Sequence, residues 1–444
     1  MLEKDSLPSG YRLTPEEDFL WQCARHWRNP SMLEKTGPLN WDIVVEIGLA
    51  NRMQTLLFGI LGTTCLKDNL SSDSANQLKK WVARHEYNAQ LLGDALRQYL
   101  QHAVLHDHEV VVIKGLWLSE IIYGQSSMRP GADIDLLVRR SDIPLSLTIL
   151  EDEMGFGTWW RPLLDDRYYQ RHHLHQQRCN HDRSIWIEPH WLLDHPYTQF
   201  TIDYNALLNR SKPGRLWGLP VQELSPPDQL LVLSIHLVKH AVYLPSVVDR
   251  GDMTRLILAD NMLLYYLDVA EVVGHYQKEL DWDQVAALAQ ETGTAGALGS
   301  VLKICHDQLA VPVPDSLLSS LSVTRPNQFT KLIMSHLADA KISKIQGQKT
   351  NKIWSFLLGY NSSIVFRPIR LLDLIHFMFP GGNYLERRYG GASLFIRATH
   401  LIKTAGRYML VGWDTLYFSL KRKIEVWKLD RQGFAWPELP LLDE

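Results

Sequence analysis

Two aspartates one residue apart, Asp133 and Asp135, stand in the run ADIDLLV. In a strand, residues i and i+2 point to one side about 7 Å apart along the chain, so Ile134, Leu136 and Val138 would face the other side. Carboxylates crowded in this way raise one another's pKa unless a cation sits between them. An all-oxygen donor set favours Mg²⁺ (or Mn²⁺) held together with substrate phosphates. In two-metal phosphoryl transfer the ions sit roughly 3.5–4 Å apart, and a third carboxylate is then expected from a neighbouring strand. Glu188, in SIWIEPH, meets that need: Trp186, Glu188 and His190 share one face of an extended segment, with Ile185 and Ile187 on the other. A bare DxD is also common at a solvated strand end, so the pair by itself does not define a site.

Lys114-Gly115 follows the β-branched run Val110–Ile113 and opens the helix-like segment LWLSEIIYG. A strand that runs into a glycine and then a helix offers backbone N–H groups and a positive helix end to an anion. Lys114 adds a point charge suited to phosphate; the alternative is a tight turn with a solvated lysine. Arg129 lies four residues before Asp133 and is a candidate ligand for a triphosphate, or else a surface arginine. His172, His173, His175, Cys179 and His181 form a dense cluster ahead of the Glu188 strand. Imidazole and thiolate suit zinc, yet this spacing matches no closed zinc module. The preferred reading is a hairpin lining the cleft, with one histidine such as His173 touching phosphate or base. His190 shares the Glu188 face. His236, Lys239 and His240 fall at i, i+3 and i+4 of a helix and so share a face that could approach the cleft; interior or surface histidines are the competing reading.

The elements that must position these residues follow from periodicity and punctuation. Residues 1–108 read as helical: Thr14-Pro15-Glu16-Glu17 is a helix start, another follows Asn40-Trp41-Asp42, and a long third helix follows Ser71-Ser72-Asp73 with Leu78, Trp81, Tyr87, Leu91, Leu92 and Leu96 near a 3.6-residue period. Residues 109–200 alternate as β-α-β-α-β-β, a small mixed α/β core. Residues 201–320 return to helices, from Ser225-Pro226-Pro227-Asp228 onward. Asp281-Trp282-Asp283 there echoes Asn40-Trp41-Asp42, which is read as a shared capping solution rather than a duplication. A C-terminal helical region, 321–444, contains the breaker FPGGNY and an amphipathic stretch over 391–428. That stretch is expected to pack on the helical domain, with peripheral membrane contact or partner docking as alternatives. The fold class expected is α+β: a small mixed sheet flanked by helices in a mostly helical chain.

Composition narrows the functional classes. The 46 Lys+Arg against 49 Asp+Glu leave a net charge of −3, against a constitutive nucleic-acid binder and hence a templated polymerase. Four scattered cysteines form no CxxC pair, which fits a reducing cytoplasm. No apolar leader opens the sequence, and no uncharged apolar stretch of about 18 residues occurs, so neither a secretory signal nor a transmembrane helix is expected.

In this order the segments IKGLWLSEIIYG, MRPGADIDLLVRRSD and IWIEPHW resemble the DNA-polymerase-β-like nucleotidyltransferase superfamily. More closely, they resemble its large bacterial group of uncharacterised nucleotidyltransferase-family proteins. The likeness extends to TPEEDFLWQCAR, LNWD, LSPPDQLLVLSIHLVKH, LDVAEVVGHYQKELDWD, VPVPDSLL and FPGGNYLERRYG, most of the chain. It implies metal-dependent transfer of a nucleoside monophosphate from an NTP to a hydroxyl acceptor, with pyrophosphate leaving. Asp133 and Asp135 would hold the metals, Glu188 would be the third carboxylate (metal ligand or base), and Gly115 would mark the phosphate turn. Leu116 stands where the superfamily usually has Ser or Gly, and the gap from Gly115 to Asp133 is longer than usual. Asp268 matches the group's downstream aspartate. Two other classes compete: a catalytically inactive nucleotide-binding scaffold or regulator of the same fold, and a histidine-based metal hydrolase.

Overall fold

The computed structural model describes residues 13–33, 38–64, 70–157, 174–194, 200–240, 257–258, 261–321, 385 and 393–402, with side chains left out at 239 and 240. His172, His173, most of the C-terminal region and the FPGGNY breaker lie outside these, as do the side chains of Lys239 and His240.

Local capping sets most helix starts. Thr14 and Glu17 form a reciprocal box at helix Pro15–His26, each side chain bonding the other's backbone N–H at 3.2 and 2.8 Å. Asn40 caps Trp41–Ala50 through the amides of Asp42 and Ile43, and Asp281 caps Trp282–Glu291 in the same manner through Asp283 and Gln284. The echoed motifs are thus one capping geometry used twice. The helix Ser72–Leu105 buries Leu78, Val82, His85, Ala89, Leu92, Leu96 and Tyr99, an i, i+3/i+4 stripe. Trp81 and Tyr87, expected on that stripe, stand off it and are 41% and 62% exposed.

The sheet has six strands among the described residues: β1 (Val111–Val112), β2 (Ile134–Leu137), β3 (Arg178–Cys179), β4 (Trp186–His190), β5 (Lys212–Leu216) and β6 (Leu219–Glu223), in the order β3-β4-β2-β1-β6-β5. β2 runs parallel to β4 and antiparallel to β1, and β1 runs parallel to β6. The architecture is α+β, as expected. The β5–β6 hairpin was not: 201–320 reads as helical, yet Lys212–Leu216 and Leu219–Glu223 pair around Trp217-Gly218, with φ of 51° and 81°. Two consecutive positive φ values make the two-residue turn whose twist matches a hairpin.

Both sheet faces are covered. Val112, Ile134, Leu136, Val138 and Ile187 enter the main core, which also contains Phe19, Leu57, Leu96 and Tyr99 from the first helices and Leu233, Leu263, Val272 and Leu302 from the later ones. The helices before and after the sheet therefore share one interior. The opposite face carries a smaller cluster, including Val111, Ile113, Leu137, Leu207 and Val232. Asp135 and Glu188 lie on this second face.

Candidate active site

Register brings the carboxylates together. In the parallel pair β2–β4, Asp135 stands opposite Glu188 and Leu137 opposite His190, so alternation places Asp133, Asp135, Glu188 and His190 on one side. Ligand oxygens of Asp133, Asp135 and Glu188 all lie within 4.8 Å of one another. Next to them, the chain leaving β1 passes through Ile113 to Lys114 and Gly115. Gly115 has φ +61°, and a Cβ there would lie 3.5 Å from the Asp133 carbonyl oxygen. The turn that launches the next helix is thus packed on the backbone of the first aspartate, and a left-handed residue is what lets it close.

Each buried charge has partners. The Lys114 ammonium is 2.9 Å from Asp135 Oδ2 and 3.4 Å from His236 Nε2. His190 Nε2 lies 3.0 Å from Asp135 Oδ1 and 3.6 Å from Glu188 Oε2. His175 Nδ1 lies 2.8 Å from Glu188 Oε2, and the Gln177 amide donates to Glu188 Oε1. The consequences differ by residue. Burial would raise the pKa of Asp135, but Lys114 and the His190 hydrogen bond outweigh it and hold the carboxyl well below its usual range. Burial of Glu188 is likewise outweighed by hydrogen bonds from His175 and His190, again a lowering. Burial would lower Lys114, yet Asp135 and Asp133 raise it, so it stays an ammonium. Asp133 is left over: the charge of Asp135, then burial, push it up to about 6. Three carboxylates within reach of one ion, one of them short of positive charge, are a donor set suited to a hard divalent cation.

Arg129 is placed elsewhere. Its guanidinium is buried, its Nε and Nη2 grip both oxygens of Asp268 at 2.7–3.0 Å, and Nη1 donates to the Pro130 carbonyl. Tyr123 donates to the same aspartate at 3.0 Å. The arginine therefore ties the loop before Asp133 to helix Leu263–His275, and it reaches Asp133 only through space. Asp268, singled out by the resemblance, is its counter-ion.

The histidine cluster divides. His175, with Glu188 and His190, forms a second group whose ligand atoms lie within 4.8 Å of one another. Cys179 pairs with Trp186 in β3, and His181 sits in the turn between the strands. Among the described residues the cluster does not close into a zinc site of its own. His236 reaches the cleft through Lys114. The sequence places His175 in a hairpin lining the cleft without singling it out from its neighbours, and it gives no role to Gln177. Their signal is the alternation His175-x-Gln177 ahead of β3, which aims both at Glu188.

The turn at Gly115 thus stands beside three carboxylates drawn from two adjacent strands. Residues 37–310 match the family described as uncharacterised nucleotidyltransferase, and the chain belongs to that family. No curated protein and no solved structure matches it. Among the described residues no helix is long and apolar enough to cross a membrane.

Proposed function

We propose that the protein transfers a nucleoside monophosphate from an NTP to a hydroxyl group of a small molecule or protein, releasing pyrophosphate, with Asp133, Asp135 and Glu188 holding Mg²⁺ or Mn²⁺. The observation that carries this reading is the Asp135–Glu188 register, which gathers the three carboxylates at the end of β2 next to the Gly115 turn. A bound divalent ion would supply charge neutralisation on the triphosphate and polarisation of the acceptor oxygen. The protein's own groups supply the rest. Lys114 and His190 keep Asp135 ionised, and His175 and Gln177 fix the Glu188 carboxylate. Asp133, raised to about 6, must be ionised before all three carboxylates can act as ligands, a condition met above that pH. Preorganised charge of this kind supplies much of the rate in phosphoryl transfer.

The test is pyrophosphate release and mass gain on acceptor or protein, with Mg²⁺ and each NTP in turn. Asp135→Asn and Glu188→Gln should lower the rate by about 100-fold or more. Absence of Mg²⁺–NTP binding by the folded protein overturns the proposal.

A further inference from the structure

A second concavity adjoins the carboxylates. A cleft of about 210 Å³ is walled by Arg52, Trp81, Arg84, His85 and Asn88 and floored by Pro130–Ala132, the residues that lead into Asp133. No carboxylate is among its lining residues. The Arg84 guanidinium lies 5.1 Å over the ring of Trp81, and both side chains line the cleft. Arg52 sits 5.6 Å from the Tyr265 ring centre and 3.1 Å from its hydroxyl. Among the described residues neither arginine is paired with an acid.

The backbone fixes where Arg52 stands. It has φ +60° as the left-handed residue that ends helix Trp41–Ala50, its N–H on the Leu49 carbonyl and the Met53 N–H on that of Gly48, and its neighbour Asn51 is pinned to Leu258 and Leu263. The cleft is also joined to the carboxylates by a continuous run of contacts: Arg52 to Tyr265, Tyr265 to His236 at 5.3 Å between ring centres, His236 to Lys114, and Lys114 to Asp135. His85, whose Nε2 is 2.8 Å from the Ser127 carbonyl, holds the floor loop against the long helix.

We propose that this cleft is an anion subsite of the same active centre, taking a phosphate or carboxylate group of a substrate whose reacting end lies at Asp133, with Arg52 and Arg84 as its ligands. The assignment of the centre to nucleotidyl transfer supplies only the candidates for that substrate: the NTP through its own phosphates, or an acceptor that carries an anionic group.

The test uses the full chain, inorganic pyrophosphate as probe and calorimetry in EDTA, so that no ion held by the carboxylates contributes. Wild type should bind pyrophosphate, and Arg84→Gln and Arg52→Gly should each weaken it by about tenfold or more, the loss expected for a charge-assisted contact. Arg52→Gly removes the positive-φ strain, so its thermal midpoint should hold, which separates loss of the ligand from loss of the fold. Repeating the titration with Mg²⁺ and a non-hydrolysable NTP present identifies the source. Competition assigns the subsite to the nucleotide's phosphates, and persistence assigns it to the acceptor. Pyrophosphate binding that is absent in wild type, or within twofold of wild type in both variants, overturns the proposal. Binding that depends on both arginines in a chain that takes no NTP keeps the subsite and removes nucleotidyl transfer instead.

Discussion

Replacing Asp133 by Asn should stabilise the metal-free protein while abolishing its gain from metal. Asp133 is raised from an ordinary 3.8 to about 6, first by the charge of Asp135. At 1.36 kcal/mol per pKa unit that rise corresponds to about 3 kcal/mol, and because Asp133 is not fully shielded from solvent we expect about 1–3 kcal/mol. The sign follows from linkage. A carboxyl whose folded pKa exceeds its unfolded one contributes stability below 3.8 and loses it as pH rises through about 6. The neutral amide never incurs that loss. In urea unfolding with EDTA, Asp133→Asn should therefore exceed wild type by an amount that grows between pH 4 and 6 and is constant above. With Mg²⁺ at pH 7.5 wild type should gain stability and the variant should gain little. A variant less stable than wild type in EDTA at pH 7.5, or a wild type indifferent to Mg²⁺, refutes the reasoning.

The same pKa makes Mg²⁺ affinity fall below about pH 6, where Asp133 takes up its proton; calorimetry across pH 5–8 that shows a flat affinity contradicts this. Lys114→Met leaves Asp135 buried without its ammonium and should cost about 2–4 kcal/mol in chemical denaturation, with a loss under 1 kcal/mol counting against the pair. Asp268→Asn breaks a bidentate buried pair and should cost about 3–5 kcal/mol, whereas a near-neutral result would show that Arg129 finds another acceptor. Gly115→Ala should cost only about 1–2 kcal/mol, because the added methyl meets Asp133 O at an ordinary 3.5 Å and only the φ of +61° is strained; a larger cost means that the turn is tighter than described.

The acidic trio was legible because strands have a two-residue period: Asp133, Asp135 and Glu188 could be assigned a face from spacing alone, and the β2–β4 register does the rest. Lys114-Gly115 was legible as a strand-to-helix turn for a similar local reason. Arg129 was not, since its partner Asp268 is 139 residues away and a sequence carries no sign of so distant a carboxylate. Trp81 and Tyr87 fitted a helical period yet stand outside the buried stripe, because on a 34-residue helix several stripes compete and tertiary contacts choose between them. The β5–β6 hairpin escaped because Lys212, Pro213, Gly214 and Arg215 are poor strand formers; an edge strand tolerates them, and only Trp217-Gly218 announced the turn.

The buried Arg129–Asp268 clasp sets a lower limit on what can be cut from this chain. A fragment ending after β4 would carry a guanidinium into an apolar interior with its counter-charge amputated, and would strip β1 of its parallel neighbour β6. The smallest piece able to present the three acids in working order thus runs well past the strands that bear them, through helix Leu263–His275. Grafting or swapping the acid-bearing strands alone between relatives should yield insoluble protein, and exchanges that move the clasp intact should not.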